Sequence, residues 1–551
     1  MAGFGIFVLV CALLVLRMRS LEREKQKKIK AELEASYGSG RGRALSPKRE
    51  KALEELCRRR AGEQGIIDDI TWMDLEMPAV FAQMNSCRSA AGEEELYGRI
   101  RAGRASREDL ENWESLLRKL EREETLRKDL TYVLGGLGFA GNRVFCEDLE
   151  TLSEMGEKAF PVAGEIIKDL LYLAGVPLIL LQPLWGLLFY LCLVSVQVYT
   201  YFRGRSALSE YLPSVAYLLR LVRMIRLLPK ETEAVLREEV PDLCRNGAAL
   251  LSLEKGALFV MYSGRFAMSS GPLELLVTYL NILFHLDMIA CRKILRGLSG
   301  RKEEILKVMR DAGLLDAAIA VDSWRAYLTN GGAEKDESPR YCTPDFAESG
   351  EHGFRMTDGY HPLLKNPVRQ SLDTKRGIIL TGSNASGKST FLRTCGLCAL
   401  LAQTIHTCPA AEYRAPVYRL FSSISLKDDL CGGESYFMTE IRAMKRVLDA
   451  SLEKGDPVFC LVDEVLRGTN TSERISAGAQ ILNGLAEEGV LCFAATHDIE
   501  LTGLCAQGYE NYHFEEILSE EDVTFTYVLK SGPSTSKNAI LLLKKAGFSL
   551  T

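Results

Sequence analysis

Residues 382–389, Gly-Ser-Asn-Ala-Ser-Gly-Lys-Ser, satisfy the pattern G-x-x-x-x-G-K-[ST]. Glycines in such a loop let backbone N–H groups close around phosphate oxygens at a helix N-terminus, while Lys388 reaches the β and γ phosphates and the Ser389 hydroxyl ligates Mg²⁺. A tight strand-to-helix turn that merely carries a lysine is the alternative, and it does not explain why motif and context agree. The apolar run Val458–Val462 ends in Asp463 and Glu464. Phosphoryl transfer to water needs a carboxylate for the metal and a base that orients the water, so Asp463 is expected to be the metal partner and Glu464 the base. His497 follows a third apolar run, Val490–Thr496, where it is placed to contact the γ-phosphate or the attacking water; a structural histidine is an equal alternative. The chemistry these residues imply is Mg²⁺-dependent hydrolysis of ATP.

The elements that must position them follow from pattern. Gly377–Thr381 reads as the strand before the phosphate loop and Thr390–Ile405 as the helix after it. Short, fully apolar runs bounded by turn residues and separated by helices mark buried parallel strands, so residues 331–551 are expected to form an α/β domain behind a Gly/Ser/Pro linker at 331–339. Before it, i, i+3, i+4 apolar spacing over stretches such as Leu110–Leu134 and Val235–Leu253 implies an all-α unit. Cys395 and Cys398 have the spacing of a zinc knuckle, but no second pair follows, and both fall in an apolar helical pattern that points to core packing. The 15 cysteines are scattered without a paired framework, as in a reducing compartment.

Charge and hydropathy divide the chain further. Its 551 residues carry a net charge of -5, which argues against a generally basic nucleic-acid binder. Residues 1–60 hold 15 Lys/Arg against 7 Asp/Glu, so the basic excess lies at the N-terminus. Residues 1–19 read as an uncleaved membrane anchor, because the basic residues follow the apolar run and no small-residue cleavage site is present. Residues 20–64 form a charged juxtamembrane helix with a Gly/Ser/Arg linker at 36–43, suited to anionic lipid. Residues 170–202 contain 33 uncharged positions. They are expected to form a transmembrane helical hairpin with a tight turn, a buried core hairpin being the alternative. This hairpin interrupts the helical unit, leaving parts at 65–169 and 203–330, and the basic flanks place the ATPase domain on the cytoplasmic side of the membrane.

Read together, these motifs resemble the ATPase domain of the MutS family, a branch of the ABC-type P-loop ATPases. The family's GPNMGGKST is similar to residues 382–390, ending in Thr390; its DEIGRGTST is similar to 463–471; its TH-x-x-EL matches Thr496–Leu501. His361-Pro362 is similar to the HP motif before the P-loop strand. Asp428-Asp429-Leu430 and residues 433–440 resemble the DDL and S-T-F-M-x-E signature. In that family the signature serine faces the nucleotide of a partner subunit, which the resemblance carries onto Ser435. The helical part is less similar: residues 85–100 resemble the start of the family's core/lever domain, and 312–317 the lever helix that returns to the ATPase. No mismatch-reading domain is expected ahead of the core, F-x-E triplets at Phe145, Phe346 and Phe514 lack strand context, and the SKSYG-like run is replaced by Ser536–Ala539. The resemblance implies a homodimer that shares its ATP sites, of a membrane-associated MutS-like type.

Two functions compete. One is an ATP-driven dimeric switch acting on double-stranded DNA, related to mismatch repair. The other is a membrane-tethered switch acting on a protein or lipid partner, favoured by the acidic balance of residues 61–551, since duplex binding draws on several Lys/Arg–phosphate contacts.

Overall fold

Capping residues set the starts of the first helices. The Ser46 side chain accepts from Arg49 N ahead of Pro47–Ala61, Asp68 accepts from Thr71 N ahead of Asp69–Asp74, and Ser89 accepts from Gly92 N ahead of Ala90–Arg101. The computed structural model describes residues 20, 24, 27–62, 65–139, 141, 144–157, 163–208, 211–254, 260, 272–298, 300–330, 340–347, 351–383, 386–424, 436–466, 470–518 and 523–534. The expected anchor at 1–19, the linker at 331–339, Asn384, Ala385, the DDL segment, Ser435 and Ser536–Ala539 lie outside them.

The first part of the chain is helical, centred on the 29-residue helix Lys302–Asn330, most of whose side chains are buried. It packs on Ala90–Arg101 and Arg107–Arg122. The close crossing depends on Gly313, where a Cβ would lie 2.6 Å from the Ala91 carbonyl oxygen. The expected run Leu110–Leu134 is two helices, Arg107–Arg122 and Glu124–Gly135, broken at Glu123 with φ −104° and ψ 78°. The segment 36–43, expected as a linker, lies against the long helix: Gly38 N bonds Ser323 Oγ at 3.0 Å and Tyr37 OH bonds Asp322 at 2.8 Å. Part of the basic segment is likewise internal, since Arg49 is 5% exposed and pairs with Glu93 at 2.9 Å and Glu94 at 3.0 Å.

Ala163–Leu181 and Pro183–Leu208 form an apolar helical hairpin. Among the described residues one helix is long and apolar enough to cross a membrane, Pro183–Ser206; the first arm does not meet that length and composition. The hairpin is not a core element, because Leu181, Leu184 and Trp185 are 70–77% exposed.

The second part is α/β. A six-stranded sheet has the order β10-β9-β4-β8-β7-β6, comprising β4 (Gly377–Thr381), β6 (Arg419–Ser423), β7 (Val458–Asp463), β8 (Leu491–Ala495), β9 (Tyr509–Leu518) and β10 (Val523–Ser531). All pairs are parallel except β9–β10. β4, β7 and β8 are buried along their whole length, as their unbroken apolar runs predict. A smaller sheet, order β1-β5-β2-β3, combines β1 (Asp345–Phe346), β2 (Phe354–Gly359), β3 (Gln370–Thr374) and β5 (Glu412–Ala415). One hydrophobic cluster runs through both parts, joining Leu75, Trp113 and Trp324 to Leu397, Leu401 and Phe459.

Candidate active site

β4 delivers the chain to the phosphate loop, and the helix Lys388–Ile405 begins at its end. Gly387 caps that helix at φ 106°, a left-handed geometry that favours glycine. Lys388 Nζ folds back and donates to the carbonyls of Gly382 at 2.7 Å and Ser383 at 2.8 Å. The helix dipole and the backbone N–H groups of its first turn favour an anion at this end. Ser386 and Thr390 complete the described part of the loop, with Ser386 buried.

β7 and β8 lie side by side next to β4, so their carboxyl ends converge on the loop. Ser389 Oγ donates to Asp463 Oδ2, which brings the two expected metal ligands together. These are hard oxygen donors, and Mg²⁺ is usually held by one or two carboxylates with substrate phosphates completing its shell, so the residues present fit that ion. Glu464 is at φ 60° and its N–H donates to the Ala495 carbonyl at 2.8 Å. A non-glycine residue held there is strained, a feature that concentrates at functional sites. Its carboxylate Oε1 is 3.0 Å from His497 Nε2.

Lys388, Ser389, Asp463, Glu464 and His497 all line one cavity of about 510 Å³. Its remaining wall was not legible in the sequence. Asn366, Pro367 and Val368, from the loop before β3, line it together with Tyr527 of β10. Gln370 ties the two sides, donating to the Tyr527 carbonyl and accepting from Leu529 N at 3.0 Å. His361 lines the same cavity; burial lowers its pKa, so the ring is neutral near pH 7, and its Nε2 is buried without a hydrogen-bond partner among the described residues. Cys395 and Cys398 are both fully buried in the helix, and no cluster of three metal-ligating side chains occurs among the described residues.

The far end of the helix Lys388–Ile405 is clamped by the helical unit. Arg325 donates to Glu114 Oε2 at 2.7 Å, to the His406 carbonyl at 2.8 Å and to Thr407 Oγ1 at 2.9 Å. Trp113 Nε1 donates to the Ile405 carbonyl at 3.0 Å. Burial would push the Glu114 carboxyl up, but hydrogen bonds from His406 and Arg325 outweigh it and hold it at about 2. A second contact sits where β6 ends, just before residue 425: Asp74 accepts from Ser422 Oγ at 2.6 Å and from Ile424 N at 2.8 Å.

Residues 378–550 match the protein family described as MutS domain V, the P-loop ATPase-type domain at the C-terminus of the chain. A DNA mismatch repair protein MutS of Thermotoga sp. (strain RQ2) is 32% identical over 257 residues, 45% of this chain and 30% of that protein. A MutS of Thermus thermophilus is 30% identical over 256 residues, 45% of this chain and 31% of the relative. DNA mismatch repair protein MutS 2 of Haloarcula marismortui is 32% identical over 237 residues, 38% of this chain and 24% of the relative. The chain thus spans under a third of the length of these curated relatives.

Proposed function

We propose that this chain is a MutS-family ATPase attached to a membrane, in which ATP binding and hydrolysis switch the arrangement of a homodimer. The observation that carries the reading is the single cavity lined by Lys388, Ser389, Asp463, Glu464 and His497. The phosphates lie against the N-terminus of Lys388–Ile405, with Lys388 exchanging its two carbonyl partners for phosphate oxygens. Asp463 and Ser389 would hold Mg²⁺, which when bound would supply positive charge to the phosphates. Glu464 takes a proton from the attacking water, and His497, beside its carboxylate, orients it. Pro367, Val368 and Tyr527 supply an apolar and aromatic wall for the base. Ser435 acts on the nucleotide of the partner subunit.

The relatives' names support DNA mismatch repair as the process served. A reading without DNA has its own support: residues 61–551 carry 53 Lys/Arg against 66 Asp/Glu, and the most buried of the N-terminal arginines, Arg49, is already paired with Glu93 and Glu94. The test is Mg²⁺-dependent ATP hydrolysis by the full chain together with duplex binding across a salt series. Lys388→Ala should abolish nucleotide binding; unaltered ATP affinity in that variant overturns the site. Duplex affinity falling steeply with salt supports the DNA reading, and none at about 50 mM salt with or without ATP supports the other.

A further inference from the structure

The two arms of the apolar hairpin, 163–181 and 183–208, meet a third helix, Pro272–Phe284, at a buried polar latch. Gln197 Nε2 donates to Asp169 Oδ1 at 2.6 Å and to the Leu283 carbonyl at 3.0 Å, while His285 lies 3.5 Å from Asp169 and 3.2 Å from Thr200 Oγ1. From the latch to the tip the first arm has residues 170–181 and the second 183–196, 12 and 14 residues without a charge. At 1.5 Å per residue these reach about 18 and 21 Å from the latch; the first arm, charged at Asp169, falls short of the roughly 30 Å of a bilayer's hydrocarbon, while the second continues without a charge to Phe202 but must turn back with the first at Gln182.

The tip is built to stay out of water. A hairpin that crosses twice emerges in a polar loop, but here a single residue, Gln182, separates the helices, between exposed Leu181 on one side and exposed Leu184 and Trp185 on the other. At the turn Gly186 N donates to the Gln182 carbonyl at 2.7 Å, and Pro183 has no N–H to leave unpaired. Between latch and tip the hydroxyls of the two arms meet, Tyr190 OH donating to Tyr172 OH at 2.6 Å. Below the latch the surface changes to exposed Tyr199 and Phe202 and then Arg203, the sequence of aromatic belt and cation found at a membrane interface. Such an order along the axis fits a lipid bilayer rather than a protein partner.

We propose that the hairpin is a wedge that enters a phospholipid bilayer tip first and stops inside it, with Trp185 in the hydrocarbon and both ends of the hairpin on the ATPase side. This rests on the membrane attachment proposed above and replaces a double crossing with a re-entrant one. Trp185 is a native probe, because Trp72, Trp113 and Trp324 are at most 3% exposed. The full chain is reconstituted into phosphatidylcholine vesicles containing phosphatidylglycerol, and the emission of Trp185 is taken as the difference from Trp185→Phe. Lipids brominated deep in the acyl chain should remove most of that emission, more than lipids brominated near the headgroup, and iodide should quench it from neither the outside nor the vesicle lumen. Quenching by lumenal iodide would mean that the tip crosses, overturning the wedge and sparing membrane attachment. Absence of bromolipid quenching would overturn the wedge, and flotation of the chain with the vesicles, or its loss from them, would then decide separately whether the membrane attachment stands.

Discussion

Glu114→Gln tests whether the helical unit holds the end of the phosphate-loop helix electrostatically. The substitution keeps shape and one acceptor but leaves Arg325, whose side chain is 4% exposed, without its carboxylate. A carboxyl held at about 2 instead of 4.5 favours its charged form by about 3 kcal/mol, which residual solvent contact trims to about 2 kcal/mol. Breaking a buried pair from one side costs about 3–5 kcal/mol when nothing replaces it, and the retained amide acceptor lowers that. The expected loss is therefore about 2–4 kcal/mol. The clamp joins two parts that share one core, so for a cooperative unit of about 500 residues the melting midpoint falls by about 2–4 °C. The folded carboxyl lies below its unfolded value, so its stabilisation is complete above about pH 4.5 and is lost as pH falls toward 2. Thermal unfolding of the full chain in detergent micelles, from about pH 7.5 down to 3, should show the variant's deficit narrowing below about pH 4.5. A midpoint within about 1 °C of wild type at neutral pH, or a deficit that stays constant across the range, refutes the clamp.

Glu464→Gln should keep ATP bound and slow single-turnover hydrolysis by roughly 10²-fold or more; equal rates in the two proteins would remove that residue from the base role. Mixing Lys388→Ala and Ser435→Ala subunits should restore hydrolysis, with a maximum near equal amounts, because one interface of the mixed dimer carries neither lesion. A flat, inactive profile with mixed dimers shown to form would put Ser435 in its own subunit's site. Burial raises the Asp316 carboxyl to about 6, against the opposing hydrogen bonds from Ser89 and the Arg88 backbone. A raised carboxyl makes the folded state bind its proton more tightly, so its contribution to stability falls as pH rises from about 4 to 6; Asp316→Asn should flatten the midpoint's pH slope in that window, and an unchanged slope would reject the assignment.

What was legible in the sequence was what a local pattern encodes. β4, β7 and β8 are fully buried, so their apolar runs mark them, and the residues just past their ends could be placed without a structure. The small sheet escaped because β2 pairs with β5, more than fifty residues away, and its strands alternate buried and exposed positions. The clamp escaped for a similar reason: Glu114, Arg325 and His406 are unremarkable until folding brings them within 3.2 Å. Val368 sits in the loop before β3 and Tyr527 where β10 shifts register between Phe525 and Leu529, and no motif singles out either. The hairpin was visible as an uncharged run, but its depth was not, since that depends on where Asp169 meets Gln197.

The shared core of the two parts has a practical meaning. A linker in sequence suggests modules that could be exchanged or cut apart. Yet Leu75 of the helical unit packs against Gly396, where a Cβ would come within 2.7 Å of it, and Gln403 bonds both Gly103 of one part and Tyr418 of the other. A fragment starting at 341 would bare that face and be expected to aggregate. A substitution on one side of that face would have to be accommodated on the other, so an ATPase part moved to another chain would have to bring its helical arm along.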